Sequence, residues 1–168
     1  MESRLKEVLV SFHKVDMIAY LNAYPSEFEY ALQLAVSDLQ PLAKRAAWLL
    51  WSCMQSDDSR VSGFIPAIVQ ALPGKKVDHQ RELIKILLLM NPDSETEGRL
   101  FSLCSDLWLD VGNDPSVRFN AMKMLVKICH HHPGLNRELQ WMCESQYLEA
   151  LSNAARKSIY KMLKDCRG

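Results

Sequence analysis

Asp114-Pro115-Ser116-Val117-Arg118, running on through Ala121, Leu125 and Ile128, is the stretch on which the reading of this chain turns. Asp114 suits the N-cap, where a carboxylate accepts from the free amides of the first turn, and Pro115 suits the first helical position, where no amide partner is needed. Val117, Ala121, Met124, Leu125 and Ile128 then fall at i, i+4, i+7, i+8 and i+11, one apolar stripe. Arg118, Asn120, Lys123 and Lys127 lie mostly off it, so the helix is expected to pack on one side. His130, His131 and His132 occupy its last turn, and Pro133-Gly134 ends it.

The same pattern recurs along the chain when an arginine is used as the marker. Arg45, Arg81, Arg118 and Arg156 are spaced by 36, 37 and 38 residues. Three residues after each comes Trp48, Ile84, Ala121 or Ile159, and six after each comes Trp51, Leu87, Met124 or Met162. The seventh position gives Leu88, Leu125 and Leu163, with Ser52 as the exception. A period of this length accommodates two helices and two turns, the signature of a stacked helical repeat. Each pair leaves an apolar face open, which stacking on the next pair buries.

Outward from the central stretch, residues 2–13 carry Leu5, Val8, Leu9 and Phe12 at helical spacing, a capping helix, and a short helix follows over 15–22. Ser26 with Glu29 has capping-box spacing ahead of an outer helix, and Pro41 stands near the start of an inner helix through Arg45 to Gln55. Asp57-Asp58-Ser59 forms a turn before a second outer helix from Val61 to Leu72, closed by Pro73-Gly74. The second inner helix, about 77–90, is apolar from Leu83 to Met90 apart from Lys85, which predicts cover on several sides. Asn91-Pro92-Asp93 breaks it, and Ser94 with Glu97 repeats the capping-box spacing before a third outer helix ending near Val111. The final pair is expected over 135–143 and 153–165. No alternating run with hairpin turns competes. The expectation is one all-α domain over 1–168, an α-α superhelix (solenoid) with an N-terminal cap at 1–24 and four repeats at about 26–55, 59–90, 94–132 and 134–165.

Composition narrows the function classes. The formal net charge is zero, which argues against a general nucleic-acid binder or an adhesive for anionic membranes. Charge is uneven, with nine Lys or Arg against five Asp or Glu over residues 113–168, a distribution that a solvated terminal helix also explains. Cys53, Cys104, Cys129, Cys143 and Cys166 are odd in number, widely spaced and without a CxxC pair, so they read neither as a disulfide framework nor as a zinc site. With no signal-peptide core and no run approaching a membrane span, the expected home is the cytoplasm.

The Asp-Pro-Ser-Val-Arg run with Ala121 and Leu125 resembles the inner helix of HEAT repeats, and Arg45-Ala46-Ala47-Trp48-Leu49-Leu50 is similar to that of small bacterial HEAT-like proteins. The resemblance covers residues 26–165 and speaks to architecture rather than activity. In that family the aspartate before the inner helix and the arginine within it are structural, linking neighbouring repeats. Asp38, Asp78 and Asp114 are the residues that would take the aspartate part, at uneven distances from their arginines.

Several clusters bear on chemistry. Cys129, His130, His131 and His132 include metal-ligand types, but consecutive helical residues point about 100° apart, so they are read as a polar helix end, with no metal or cofactor implied. HEAT-like DNA glycosylases, by resemblance, use aromatic and carboxylate residues on a basic concave face. Trp48 and Trp51, however, stand where other repeats have Ile84, Leu87, Ala121 and Met124, and are read as core. Asp57-Asp58 is read as a capping turn. Glycine-rich phosphate loops, GxSxG, HExxH and catalytic cysteine motifs are missing from the sequence, so no enzyme activity is expected.

The arginines carry the remaining hypothesis. With stacked helices about 8 to 10 Å apart, Arg45, Arg81, Arg118 and Arg156 would form a row, each beside the residue four further on: Leu49, Lys85, Met122 and Tyr160. These eight residues are the candidate partner-binding set, fitted to carboxylates of a protein or peptide. The blander reading pairs each arginine with a local aspartate or helix end. The chain is thus expected to be a protein-interaction module or scaffold. A nucleic-acid-associated protein or lesion-recognition enzyme is the alternative, and it would need a continuous positive groove with exposed tryptophans.

Overall fold

A computed structural model describes residues 3–167, all helix and connecting turns, with no strand among the described residues. The chain divides into two compact units, Met1–Pro92 and Asp93–Gly168, parted at the Asn91-Pro92-Asp93 break.

The first unit holds α1 (Leu5–Ser11), α2 (Lys14–Ala23), α3 (Phe28–Val36), α4 (Leu42–Cys53), α5 (Ser59–Ser62), α6 (Ile65–Ala71) and α7 (Val77–Leu88). Helix α4 is its centre, packed by α1, α2, α3 and α7. The apolar stripes meet there: Leu32 and Ala35 of α3, Ala46, Leu49 and Leu50 of α4, and Ile84 and Leu87 of α7 are fully buried. The capping helix and the second helix form as expected; Met1 and Glu2, the first two residues of the expected cap, lie outside the described residues.

Local chemistry corrects three expectations in this unit. Ser26 does not cap α3: Pro25 starts a 3-10 turn, Pro25–Glu27, which absorbs Ser26, and the helix begins at Phe28 without a side-chain cap. The second outer helix is two pieces rather than one. Pro66 lies in the first turn of α6 and has no amide to donate back to Ser62, where α5 ends. Trp48 and Trp51 are only partly buried: Trp48 lines an open groove, and Trp51 turns its indole nitrogen to Glu82.

Polar links hold the two helix pairs of this unit in register. Buried His79 donates from Nε2 to the Ala35 carbonyl at 2.8 Å, which leaves Nδ1 to accept from the Gln40 amide at 2.9 Å. Lys75 binds Ser37 O and Asp38 at 2.8 and 2.5 Å, and Lys44 binds Asp78 at 2.7 Å. Asp38 and Asp78 therefore do serve between repeats, with lysines as their partners where the resemblance implied arginines. Asp57 takes a left-handed backbone conformation (φ 54°), which aspartate tolerates. Its amide bonds Leu89 O at 2.7 Å and its carboxylate accepts from the Asn91 amide, closing the turn after α4 against the end of α7.

The second unit holds α8 (Ser94–Leu109), α9 (Pro115–His131), α10 (Asn136–Met142), α11 (Ser145–Leu148) and α12 (Asn153–Arg167). Asp114 caps α9 as its sequence predicts, accepting from the Ser116 amide at 2.8 Å with Pro115 in the first turn. One-sided packing of α9 is overturned: α8, α10 and α12 all lie against it, and Arg118, Asn120, Met122, Val126 and Cys129 are buried along with the stripe. The capping-box reading of Ser94 and Glu97 also fails. Asp93, held extended, accepts from the Thr96 amide at 2.8 Å and is itself the cap, which leaves Glu97 for another role.

Candidate functional site

The eight candidate residues do not share one environment. Leu49, Met122 and Arg118 are completely buried and leave the binding set, since a residue with no exposed surface meets no partner. Arg118 instead closes the end of α8. Its Nε donates to Trp108 O at 2.9 Å, an Nη2 donates to Tyr147 O at 2.6 Å, and its guanidinium lies 4.5 Å from the Trp108 ring centroid. A cation against terminal helix carbonyls is favoured by the helix dipole. Arg156 and Tyr160 lie on α12; Arg156 bonds Asn153 within the same turn, and Tyr160 is half exposed.

Arg45 and Arg81 do come together in the first unit. They line a groove of about 340 Å³ with Lys14 and Met17 of α2, Pro41, Lys44 and Trp48 of α4 and its start, and Glu82 of α7. Sequence reasoning missed Lys14 and Met17, which sit in the capping segment, and Lys44, adjacent to the marker arginine. The signal available was the Lys44-Arg45 pair together with two tryptophans three residues apart, and reading those indoles as core removed it.

The groove is built in layers. Glu82 is buried beneath it and accepts from Trp51 Nε1 at 2.5 Å and from Arg81 Nε at 2.8 Å, so its charge is answered where it lies. Lys85 stands 3.9 Å from the same carboxylate and 4.6 Å from the Trp51 ring centroid. Trp51 meets Trp48 edge-on, centroids 6.1 Å apart, and Lys14 lies 5.1 Å from the Trp48 centroid. Lys44 is engaged by Asp78, whose pKa that hydrogen bond lowers. Arg45 donates to Phe12 O at 3.3 Å and lies 3.9 Å from Met17 Sδ. Among the described residues, neither Arg45 nor Lys14 has a carboxylate partner. The result is an apolar floor of Met17, Pro41 and Trp48 under a surplus of positive charge.

The cysteine-histidine cluster splits up. Cys129 is buried, which pushes its thiol up to about 12, and His130 turns to Cys166, with Nε2 3.3 Å from the sulfur. His131 and His132 both face buried Glu97, Nδ1 to Oε1 at 2.5 Å and Nε2 to Oε2 at 2.6 Å. Burial alone would raise the Glu97 pKa, but the two imidazole hydrogen bonds and charges outweigh it and lower the value. No group of three His, Cys, Asp or Glu among the described residues is arranged to hold a metal ion. Asp58, likewise, is a helix cap. It accepts from the Arg60 amide and side chain, and those bonds, opposed by its burial, hold its pKa down to about 2.

No helix among the described residues is long and apolar enough to cross a membrane. No curated protein and no solved structure matches the chain. A family model described as a HEAT repeat domain matches residues 1–166, nearly the whole length and both units. The paired helices, the repeated inner-helix pattern and this match agree, and the chain belongs to the HEAT repeat domain family.

Proposed function

We propose that this HEAT repeat domain is a non-enzymatic protein-interaction module of the cytoplasm, and that the groove of α2, α4 and α7 is where its partner docks. One observation carries the proposal: in that groove Arg45 and Lys14 stand over an apolar floor without a carboxylate of their own among the described residues. Protein docking sites combine apolar contact with a few directional polar groups, and arginine is favoured among them. The experiment replaces Lys14, at the rim, with benzoylphenylalanine, and places the same probe at exposed Gln33 on α3 as a control. Irradiation in extract of the native source is expected to give a discrete protein adduct from position 14 and none from 33. Equal adducts from both, or none from either, would overturn the reading.

A second reading has one observation in its favour. Trp48 and Trp51 are partly exposed beside cations, as a nucleic-acid-associated protein requires. Their geometry opposes it: the two rings meet edge-on, so they form no flat platform on which successive bases stack. Nuclease treatment of the position-14 adduct separates the two, because only a nucleic-acid adduct is degraded.

A further inference from the structure

Building on the docking reading above, we infer that the groove recognises an acidic segment of a partner protein, one in which a carboxylate sits beside an apolar side chain. The charge pattern points to this class. Lys14, Lys44, Arg45 and Arg81 face the groove against one lining carboxylate, Glu82, which is buried and already engaged by Trp51 and Arg81. An entering cation would meet only like charge, whereas an entering anion meets Arg45 and Lys14.

Arg45 determines the geometry. A guanidinium carries five N–H donors in a planar fork, and Arg45 gives one nitrogen to Phe12 O and Met17 Sδ. The remaining edge suits a carboxylate, which accepts two parallel bonds. Lys14, on the neighbouring helix, exposed and beside the Trp48 ring, supplies a point charge for a second oxygen or a second carboxylate. Met17 is buried and Trp48 partly so, and with Pro41 they form an apolar floor for an aliphatic or aromatic side chain. A volume of about 340 Å³ accommodates two or three side chains. That size suits a short peptide segment with its acidic and apolar residues adjacent.

The test pans a random twelve-residue peptide display library on the full chain. Enriched peptides are then measured, fluorescein-labelled, by anisotropy against the parent, against Lys14→Glu/Arg45→Glu and against Lys157→Glu/Lys161→Glu, a pair of exposed lysines on α12. Enriched sequences are expected to carry Asp or Glu next to a large apolar residue. Binding should weaken at least about tenfold in the groove variant, stay within about twofold in the α12 variant, and fall as salt is raised. Circular dichroism melting checks that the groove variant folds; if it does not, single Lys14→Glu, at an exposed position, takes its place. Enriched peptides that are neutral or basic, no enrichment at all, or binding indifferent to charge reversal would overturn the inference. Tighter binding of a labelled oligothymidylate than of any peptide would overturn it in favour of nucleic acid. If acidic peptides fail while position 14 still crosslinks a protein, the docking site stands and only its chemistry falls; if the crosslink fails as well, both fall.

Discussion

At the scale of single residues, the second unit depends on a buried arginine whose hydrogen bonds go to carbonyls, with the charge of Asp110 nearby. Arg118 satisfies two carbonyls and packs on Trp108, while its Nη1 is buried without a hydrogen-bond partner among the described residues. Arg118→Ala would strip Trp108 O and Tyr147 O of their donor and leave a cavity, so a loss of roughly 3 to 5 kcal/mol is expected in urea unfolding. Arg118→Met, which keeps most of the volume, should lose less. Two other buried groups make stability depend on acid, each in its own range. Burial lowers the His79 pKa from its ordinary 6.5, with the Ala35 hydrogen bond only partly opposing. The unfolded chain therefore takes up a proton that the folded imidazole refuses, and the associated stability is full above pH 6.5 and falls below it. Glu97 has a folded pKa below its ordinary 4.5, so its contribution is present above that pH and is lost as pH falls further. Melting temperatures followed from pH 7.5 downward should show His79→Gln flattening the decline below pH 6.5. Glu97→Gln should instead be destabilised at neutral pH, with its deficit shrinking below pH 4.5. A decline unaltered by either substitution would remove these groups as its source.

At the scale of the helix, α7 separates the forces that place it. Leu87 is wholly buried against α4, whereas Asp78, on the same helix, reaches Lys44 with about half its side chain in water. Leu87→Ala removes buried methyl groups and should cost about 2 to 5 kcal/mol, as should Leu125→Ala on α9 in the other unit. Asp78→Asn, at a partly solvated pair, should stay within about 1 kcal/mol. Equilibrium denaturation of the three variants checks the ordering; a Leu87→Ala curve coincident with the parent would disprove the seam. The element ends show why boundaries are harder to read than stripes. Ser94 and Asp93 are adjacent candidates for one cap, and only the extended backbone at Asp93 (ψ 167°) decides between them. Glu97, at the spacing of a capping box, turns instead to histidines 34 and 35 residues away.

At the scale of the whole molecule, charge is balanced even though one groove is locally basic. Affinity for nucleic acid grows with the number of phosphates neutralised, and four cations, two of them already paired with carboxylates, provide few. Duplex and single-stranded DNA are therefore expected to bind weakly or not at all at moderate salt. Tight anisotropy binding that collapses as salt rises would promote the nucleic-acid reading.

The sequence by itself determined the helices, the repeat period and the seam. Ile84, Leu87, Ala121, Met124, Leu125 and Ile159, all predicted from spacing, are buried where the inner helices pack, because a helical period places residues on a face whatever surrounds it. What covers that face was decided only by the tertiary structure. Arg45, Arg81 and Arg118 hold the same register, yet Arg45 borders an open groove, Arg81 rests on Glu82, and Arg118 is sealed between Trp108 and Tyr147. Trp48 and Ile84 are likewise equivalent in the repeat, but Trp48 remains partly exposed and lines the groove of the first unit. Periodicity is a local property of one helix, whereas burial also depends on neighbours brought from tens of residues away, as Tyr147 is to Arg118 and Trp51 to Glu82.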